Sequence, residues 1–196
     1  IDAITEGRKG EKEADAVIAE VVAALDKIEG PAVEPLVEVL QNDDIDEVPR
    51  SKVAKILGLI EDVKTTEPLI AALKDKSVVV RSESAKSLGL IADRRAIEPL
   101  IDMLKDENEW VTARVNAATS LGNIKDERAV MPLINALSSE IAGIRGSAVV
   151  ALGLTKDKRA TIPLIRILEN GKEDDTIRAN AVSSLGSIAD ARAVNT

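Results

Sequence analysis

Residues 93–126 read DRRAIEPLIDMLKDENEWVTARVNAATSLGNIKD, anchored by Pro99-Leu100, Arg114 and Leu121-Gly122. The same anchors recur as Pro35, Arg50, Gly58; Pro68, Arg81, Gly89; Pro132, Arg145, Gly153; and Pro163, Arg178, Gly186. The Arg-to-Gly step is 8 residues every time and the Gly-to-next-Pro step is 10. Only the Pro-to-Arg step changes, alternating 15, 13, 15, 13, 15, so the full period is a pair of units. A unit repeated in series at fixed spacing specifies a solenoid, in which each copy buries its apolar side against the next.

Within a unit the apolar spacing is helical twice. In the second unit Ile70 and Leu73 extend the row begun at Leu69, and Val80, Ser84, Ala85, Leu88 and Ile91 fall at helical intervals. This predicts amphipathic helices over roughly 66–74 and 78–91, too short to stand alone in water. The protein has one Trp and no Phe or Tyr, so its core is Leu, Ile, Val and Ala. The fold class is all-α, a solenoid of antiparallel helix pairs.

The connectors carry helix punctuation. Asp62, Asp93, Asp126, Asp157 and Asp190 each lie four residues past the glycine, followed two residues later by Lys64, Arg95, Arg128, Arg159 or Arg192. An Asp there accepts the free N–H groups that open the next helix, at about 1 kcal/mol each. The proline that follows belongs in the first turn of that helix or bends it. Glycine late in the second helix costs about 1 kcal/mol against Ala. Its return in every unit predicts that a neighbouring helix passes close to the backbone there. An Arg in the first turn of a helix is opposed by the helix dipole, so Arg50, Arg81, Arg114, Arg145 and Arg178 are each expected to hold a carboxylate.

The strings DRRAIEPLIDMLKDE, VRSESAKSLGLIADRRAIEPL and DERAVMPLINAL resemble HEAT-like repeats of the phycobilisome-lyase (PBS-lyase) type. The resemblance covers about 31 to 194. It implies an armadillo-like right-handed superhelix with the second helices lining a concave face, and an Asp and Arg ladder buried between units. The repeats would span about 31–62, 63–93, 94–126, 127–157 and 158–190, as one continuous domain. Residues 11–28 form a further amphipathic helix with Asp26 in place of the glycine, so 1–30 reads as an atypical N-terminal capping unit. The sequence opens on Ile1 and stops where another Pro-Leu helix would begin, as a fragment with an apolar open end would, and open ends would allow self-association.

Composition removes several function classes. A net charge of −8 and a pI near 4.8 argue against tracking a phosphate backbone, so no nucleic acid partner is expected, a related DNA-glycosylase role included. With no histidine and no cysteine, imidazole-assisted nucleophiles, thiolates and His-ligated metals are excluded. The HEAT-like hydroxylases, which hold iron through His-Glu pairs, are therefore excluded on the same ground. No apolar run approaches the roughly 20 residues of a membrane span, and a cytoplasmic location is expected. No catalytic residue, metal or cofactor is assigned. The expected function is a non-enzymatic scaffold binding another protein on its concave face. The alternative, implied by the family resemblance, is a bilin lyase or isomerase subunit working with a partner.

Counting 2, 5 and 9 residues past each Arg traces the inner stripe: Lys52, Lys55, Leu59; Glu83, Lys86, Leu90; Asn116, Thr119, Asn123; Ser147, Val150, Leu154; Asn180, Ser183, Ser187. The anchors barely change while these positions vary, as a recognition surface would; exposed positions also drift freely, and the leucines fit a core equally well. The three long units put their extra residues in the turn between helices, where acidic groups gather: Asp43, Asp44, Asp46, Glu47; Asp106, Glu107, Glu109; Glu173, Asp174, Asp175. These would form acidic knobs about 20 Å apart along one edge, able to dock a basic partner, to collect divalent cations weakly or to be merely solvated. Trp110 beside the middle cluster is either a binding hot spot or a cover for the core edge. Gly143 and Gly146 open the second helix of the fourth unit, which is expected to flex there.

Overall fold

The computed structural model describes residues 33–190, with Ala16 and Arg192 besides. The segment 11–28, and with it the 1–30 capping unit, lies outside the described residues except for Ala16, which is helical and exposed. Ten α-helices and no strand occur among the described residues. They are α1 (Val33–Gln41), α2 (Glu47–Ile60), α3 (Thr66–Ala72), α4 (Val78–Ile91), α5 (Ile97–Lys105), α6 (Val111–Ile124), α7 (Val130–Ala136), α8 (Ala142–Thr155), α9 (Thr161–Glu169) and α10 (Asp175–Ile188).

The second helix of every pair is 14 residues long, whereas the first alternates 9, 7, 9, 7, 9. The turn between the two helices is equally long in all five pairs. The two extra residues of the long units therefore lengthen the first helix, not the turn. The expected insertion in the turn was placed by the acidic residues there, but the helix accepts two more residues because its apolar row continues through Met103-Leu104 and Ile167-Leu168.

The first helices α3, α5, α7 and α9 are entered the same way, and Asp190 repeats the motif. Asp62 accepts from the Lys64 N–H, Asp93 from Arg95, Asp126 from Arg128, Asp157 from Arg159 and Asp190 from Arg192, at 2.8–3.1 Å. A short 3-10 turn follows the first four, such as Val63–Thr65, and runs directly into the α-helix. Pro68, Pro99, Pro132 and Pro163 each stand third in the helix, within the first turn where a missing N–H costs least. The second helix ends on a non-glycine residue in the left-handed region, Glu61, Ala92, Lys125, Lys156 or Ala189, at φ between 51 and 56°. The free N–H of such a residue bonds back into the helix, as Lys125 does to the Leu121 carbonyl.

Two compact units divide the protein, one reaching Ile91 and one beginning at Ala92. In the first, α2 packs on α4, and each on its own first helix. In the second, α6, α8 and α10 pack in series, α6 on α8 and α8 on α10. Leu36, Val53, Leu57, Leu69, Val80 and Leu88 fill the first core; Leu100, Ala117, Leu121, Leu133, Ile144, Leu152 and Leu164 the second. Each buried Leu or Ile contributes about 1.5–3 kcal/mol.

The glycines sit where second helices cross. A Cβ at Gly58 would lie 2.4 Å from the Ser87 side chain, one at Gly122 2.6 Å from Ala151 Cα, and one at Gly153 2.6 Å from Ser184 Oγ. The facing residue is small each time, and where it is Ser its hydroxyl donates across the crossing: Ser87 to the Ala54 carbonyl at 2.8 Å and Ser184 to Val149 at 2.9 Å. The neighbouring helix is thus what demands the glycine. Gly143 and Gly146 differ, with a Cβ meeting side-chain atoms only at 3.5 Å or more, and α8 runs unbroken through both.

Gly122→Ala is expected to destabilise the protein by about 1–3 kcal/mol through overpacking. Nothing lies within 4 Å of a Cβ at Gly186, so Gly186→Ala is expected to stabilise by up to about 1 kcal/mol. Chemical unfolding of both variants checks the pair: equal effects at the two positions would mean that helix propensity, and not the crossing, governs these glycines.

Candidate interaction surfaces

The positions 2, 5 and 9 residues past each Arg lie on the outward side of the second helices. In the first unit Lys52, Lys55 and Leu59 on α2 and Lys86 and Leu90 on α4 are exposed, with Glu83 half-buried. In the second unit Thr119, Asn123, Val150, Ser183 and Ser187 are exposed, and Asn116, Ser147, Leu154 and Asn180 half-buried. The leucines that fitted a core equally well are not in it: Leu59 is 63% exposed and Leu90 40%. Because α2 packs beside α4, the first unit presents three lysines around two bare leucines. The packed series α6, α8, α10 presents amides, hydroxyls and Val150.

The acidic turns are less uniform than their composition. Asp43, Asp44, Asp46, Asp106, Glu107, Asp174 and Asp175 are exposed. Glu173 is only 7% exposed and is no knob: its two oxygens take the Arg145 guanidinium at 2.7 Å each. Burial of a carboxylate is tolerated there because a bidentate charge-assisted pair replaces its water. Glu109 is half-buried and accepts the Trp110 N–H, Glu47 accepts the Ser77 hydroxyl, and Asp174 caps α10 through Thr176 and Ile177. Trp110 is 66% exposed at the start of α6, so it does not cover the core edge.

The five helical arginines share a different partner from the one their position implies. Arg50 donates to the Ile45 carbonyl, Arg81 to Asp75 and Lys76, Arg114 to Leu104, Arg145 to Ser139 and Glu140, and Arg178 to Leu168. Each guanidinium thus closes the carbonyl end of its own first helix or the turn after it, where a cation is favoured by the dipole. A carboxylate from the following repeat joins at Arg50, where it is Asp75, and at Arg145, where it is Glu173. Arg178 instead takes Asp175 of its own helix at 3.2 Å. Arg50 is fully buried, and one of its terminal nitrogens has no partner. The contact that sequence reasoning missed is the carbonyl end, which carries no residue signature because any residue supplies it.

A profile of HEAT repeats matches residues 33–115 and 112–186. The chain belongs to the HEAT-repeat family. No curated protein sequence matches it. Among solved structures it is similar to an engineered protein, at 20% identity and a TM-score of 0.65, covering 96% of this chain and 92% of that one. A designed armadillo repeat protein in complex with the peptide (KR)4 is similar at 17% identity and a TM-score of 0.60, covering 94% and 92%. The complex of CpcE and CpcF of phycocyanin lyase from Nostoc sp. PCC7120 is similar at 22% identity and a TM-score of 0.59, over 80% of this chain and 64% of that one. At these identities the likeness shows the all-α solenoid fold.

In the second unit successive HEAT repeats are tied by the Asp and Arg of the connector as well as by the helical Arg145. Arg128 grips Asp126 at 2.9 Å through Nε and Nη2, and Nη2 also reaches the Arg94 carbonyl of the preceding repeat. Arg159 does the same with Asp157 and the Glu127 carbonyl, and Arg192 with Asp190 and the Lys158 carbonyl. The Arg128 side chain, its backbone N–H and the Arg94 guanidinium hold the Asp126 carboxyl far below the usual carboxylate range. Arg192 does so for Asp190, and Arg159 and Arg145 lower Asp157 and Glu173. No helix among the described residues is long and apolar enough to cross a membrane.

These depressed values make part of the fold's stability depend on pH. A carboxyl whose folded pKa is lowered contributes stability fully present above its unfolded pKa, near 3.8 for Asp, and lost as pH falls through the folded value. Asp126→Asn is expected to destabilise by about 2 kcal/mol at neutral pH, the difference from wild type shrinking below about pH 4. Urea unfolding at neutral pH and near pH 3 checks it; a pH-independent deficit would assign the loss to packing.

Proposed function

We propose that the protein is a non-enzymatic scaffold that binds another protein across the outward side of its second helices, its five repeats bounded as the spacing reads them. The observation that carries this is the split within each second helix. The buried positions keep Leu, Ala and Gly from repeat to repeat, while the exposed ones change from Lys and Leu to Asn, Thr, Ser and Val. Leu59, Leu90 and Val150 stand bare among polar neighbours, and apolar groups ringed by polar ones supply the anchor and rim of a protein interface. The solenoid fold suits that use, and the PBS-lyase type of HEAT repeat is the subtype to which we assign the strings around Pro99 and Pro132.

The test is affinity capture with the intact protein against a variant carrying Lys52, Lys86, Asn116, Thr119 and Asn180 as Glu. A protein retained by the first and lost by the second, with unchanged circular dichroism, is the expected result. Capture that survives those changes and is lost in Trp110→Ala would move the surface to the turn edge. A bilin absorbance shift on mixing, with no captured protein, would favour the lyase-subunit alternative.

A further inference from the structure

In the first unit the outward side of the second helices forms one continuous patch. Val48 stands two residues before Arg50, so Val48, Lys52, Lys55 and Leu59 fall at helical intervals on one side of α2. Val79, Glu83, Lys86 and Leu90 do the same on α4, which packs against α2. The two valines and two leucines are between 40% and 63% exposed. Two apolar rows therefore lie across the helix pair, one near each end. Between them lie the three exposed lysines and the half-buried Glu83. Four bare apolar side chains gathered in one patch mark a surface that a partner covers.

The distance between the rows selects the partner's conformation. Eleven residues of α2 separate Val48 from Leu59, about 16 Å at 1.5 Å per residue. A helix laid along α2 and α4 returns to the same face after eleven residues, and so sets one apolar side chain on each row. An extended chain covers that distance in about five residues, which turns its two ends to opposite faces. At the Val48 end a cleft of about 800 Å³, lined by Ile45, Val48, Pro49, Lys52 and Ser77 among others, gives one anchor a recess.

We infer that this patch docks an acidic amphipathic helix of a partner protein, with two apolar anchors eleven residues apart and carboxylates between them. Lys52, Lys55 and Lys86 outnumber Glu83 in the middle of the patch, although the protein's net charge is −8, so the attraction for carboxylates is local to that place. Asp46 and Glu47, which also line the cleft, repel carboxylates at that end and confine them to the middle. The overall negative charge turns away an anionic membrane or a nucleic acid, the other ligands that lysine and leucine suit. The inference rests on the scaffold reading and adds the partner's chemistry for the first unit.

The probe is a dye-labelled helical peptide of alanine and glutamine. It carries leucines eleven residues apart and glutamates four and seven residues after the first leucine, a pattern that reads alike in both directions. It is titrated into the intact protein and followed by anisotropy and by the methyl signals of Val48, Leu59, Val79 and Leu90 in NMR. Saturable binding is expected, weakened about ten-fold when the glutamates become glutamines, and about ten-fold by Leu59→Ser with Leu90→Ser. Val150→Ser, in the second unit, is expected to bind like wild type. Lys55→Glu with Lys86→Glu is expected to lose this peptide and to take its lysine counterpart instead. Equal binding of the glutamate and glutamine peptides, or no exchange of preference in the charge-reversed variant, would overturn the proposal. So would equal binding of a peptide whose leucines stand nine residues apart, on opposite faces. Methyl shifts produced only by phosphatidylserine vesicles, or only by raising the protein's own concentration, would give the patch to a membrane or to a second copy and overturn it too. A protein captured by wild type and lost in the five-fold stripe variant, with no binding of the peptide, would sink this inference and leave the scaffold reading standing.

Discussion

The second helices approach so closely that a single hydrogen replaces a side chain at their crossing. Gly58 faces Ser87, Gly122 faces Ala151 and Gly153 faces Ser184, with no room for a Cβ. Close-packed backbones give the greatest dispersion contact, and the crossing serine adds a bond from one repeat to a carbonyl of the last. That contact fixes the register of α2 against α4 in the first unit and of α6, α8 and α10 in the second. At Gly58, Gly122 and Gly153 it ties the Arg-to-Gly step to the crossing. The first helices carry no such crossing glycine, and they are the ones whose length alternates.

Charge is arranged around the same stack in two tiers. In the connectors an Asp opens the first helix while its neighbour Arg holds that Asp and reaches back to a carbonyl of the previous repeat. One side-chain pair thereby joins cap, turn and neighbour. At the start of the second helix the arginine works backwards, closing the carbonyl end of the first helix or its turn, and Arg50 and Arg145 also take a carboxylate of the next repeat. This two-stage use explains how the arginine is kept in every repeat although its acidic partner is not.

With the interior committed to repetition, individuality is confined to the outward side of the second helices and to the turns. The first unit offers lysines around exposed leucines; the second offers amides and hydroxyls with Val150 and, at its turn edge, Trp110. Those surfaces differ in the ligand chemistry they suit although the backbone beneath them is the same.

The order of residues by itself was enough to establish helix pairs, their Asp caps and the close neighbour at Gly58, Gly122 and Gly153, because each depends on local spacing that repetition makes visible. Tertiary structure alone decided the rest. Glu173 shares its turn with exposed acids, and only the approach of Arg145 from the preceding repeat draws it inward. The extra residues of the long units went into the first helix because its apolar row had a neighbour to pack on. Arginine was legible as a charge that takes a carboxylate, as Arg50, Arg145 and Arg178 do, but the backbone carbonyls that all five also hold are carried by every residue and marked by no sequence. Whether Leu59 and Trp110 face water follows from which atoms a neighbouring repeat brings within a few ångströms, a relation between residues some 25–35 positions apart that local spacing does not contain.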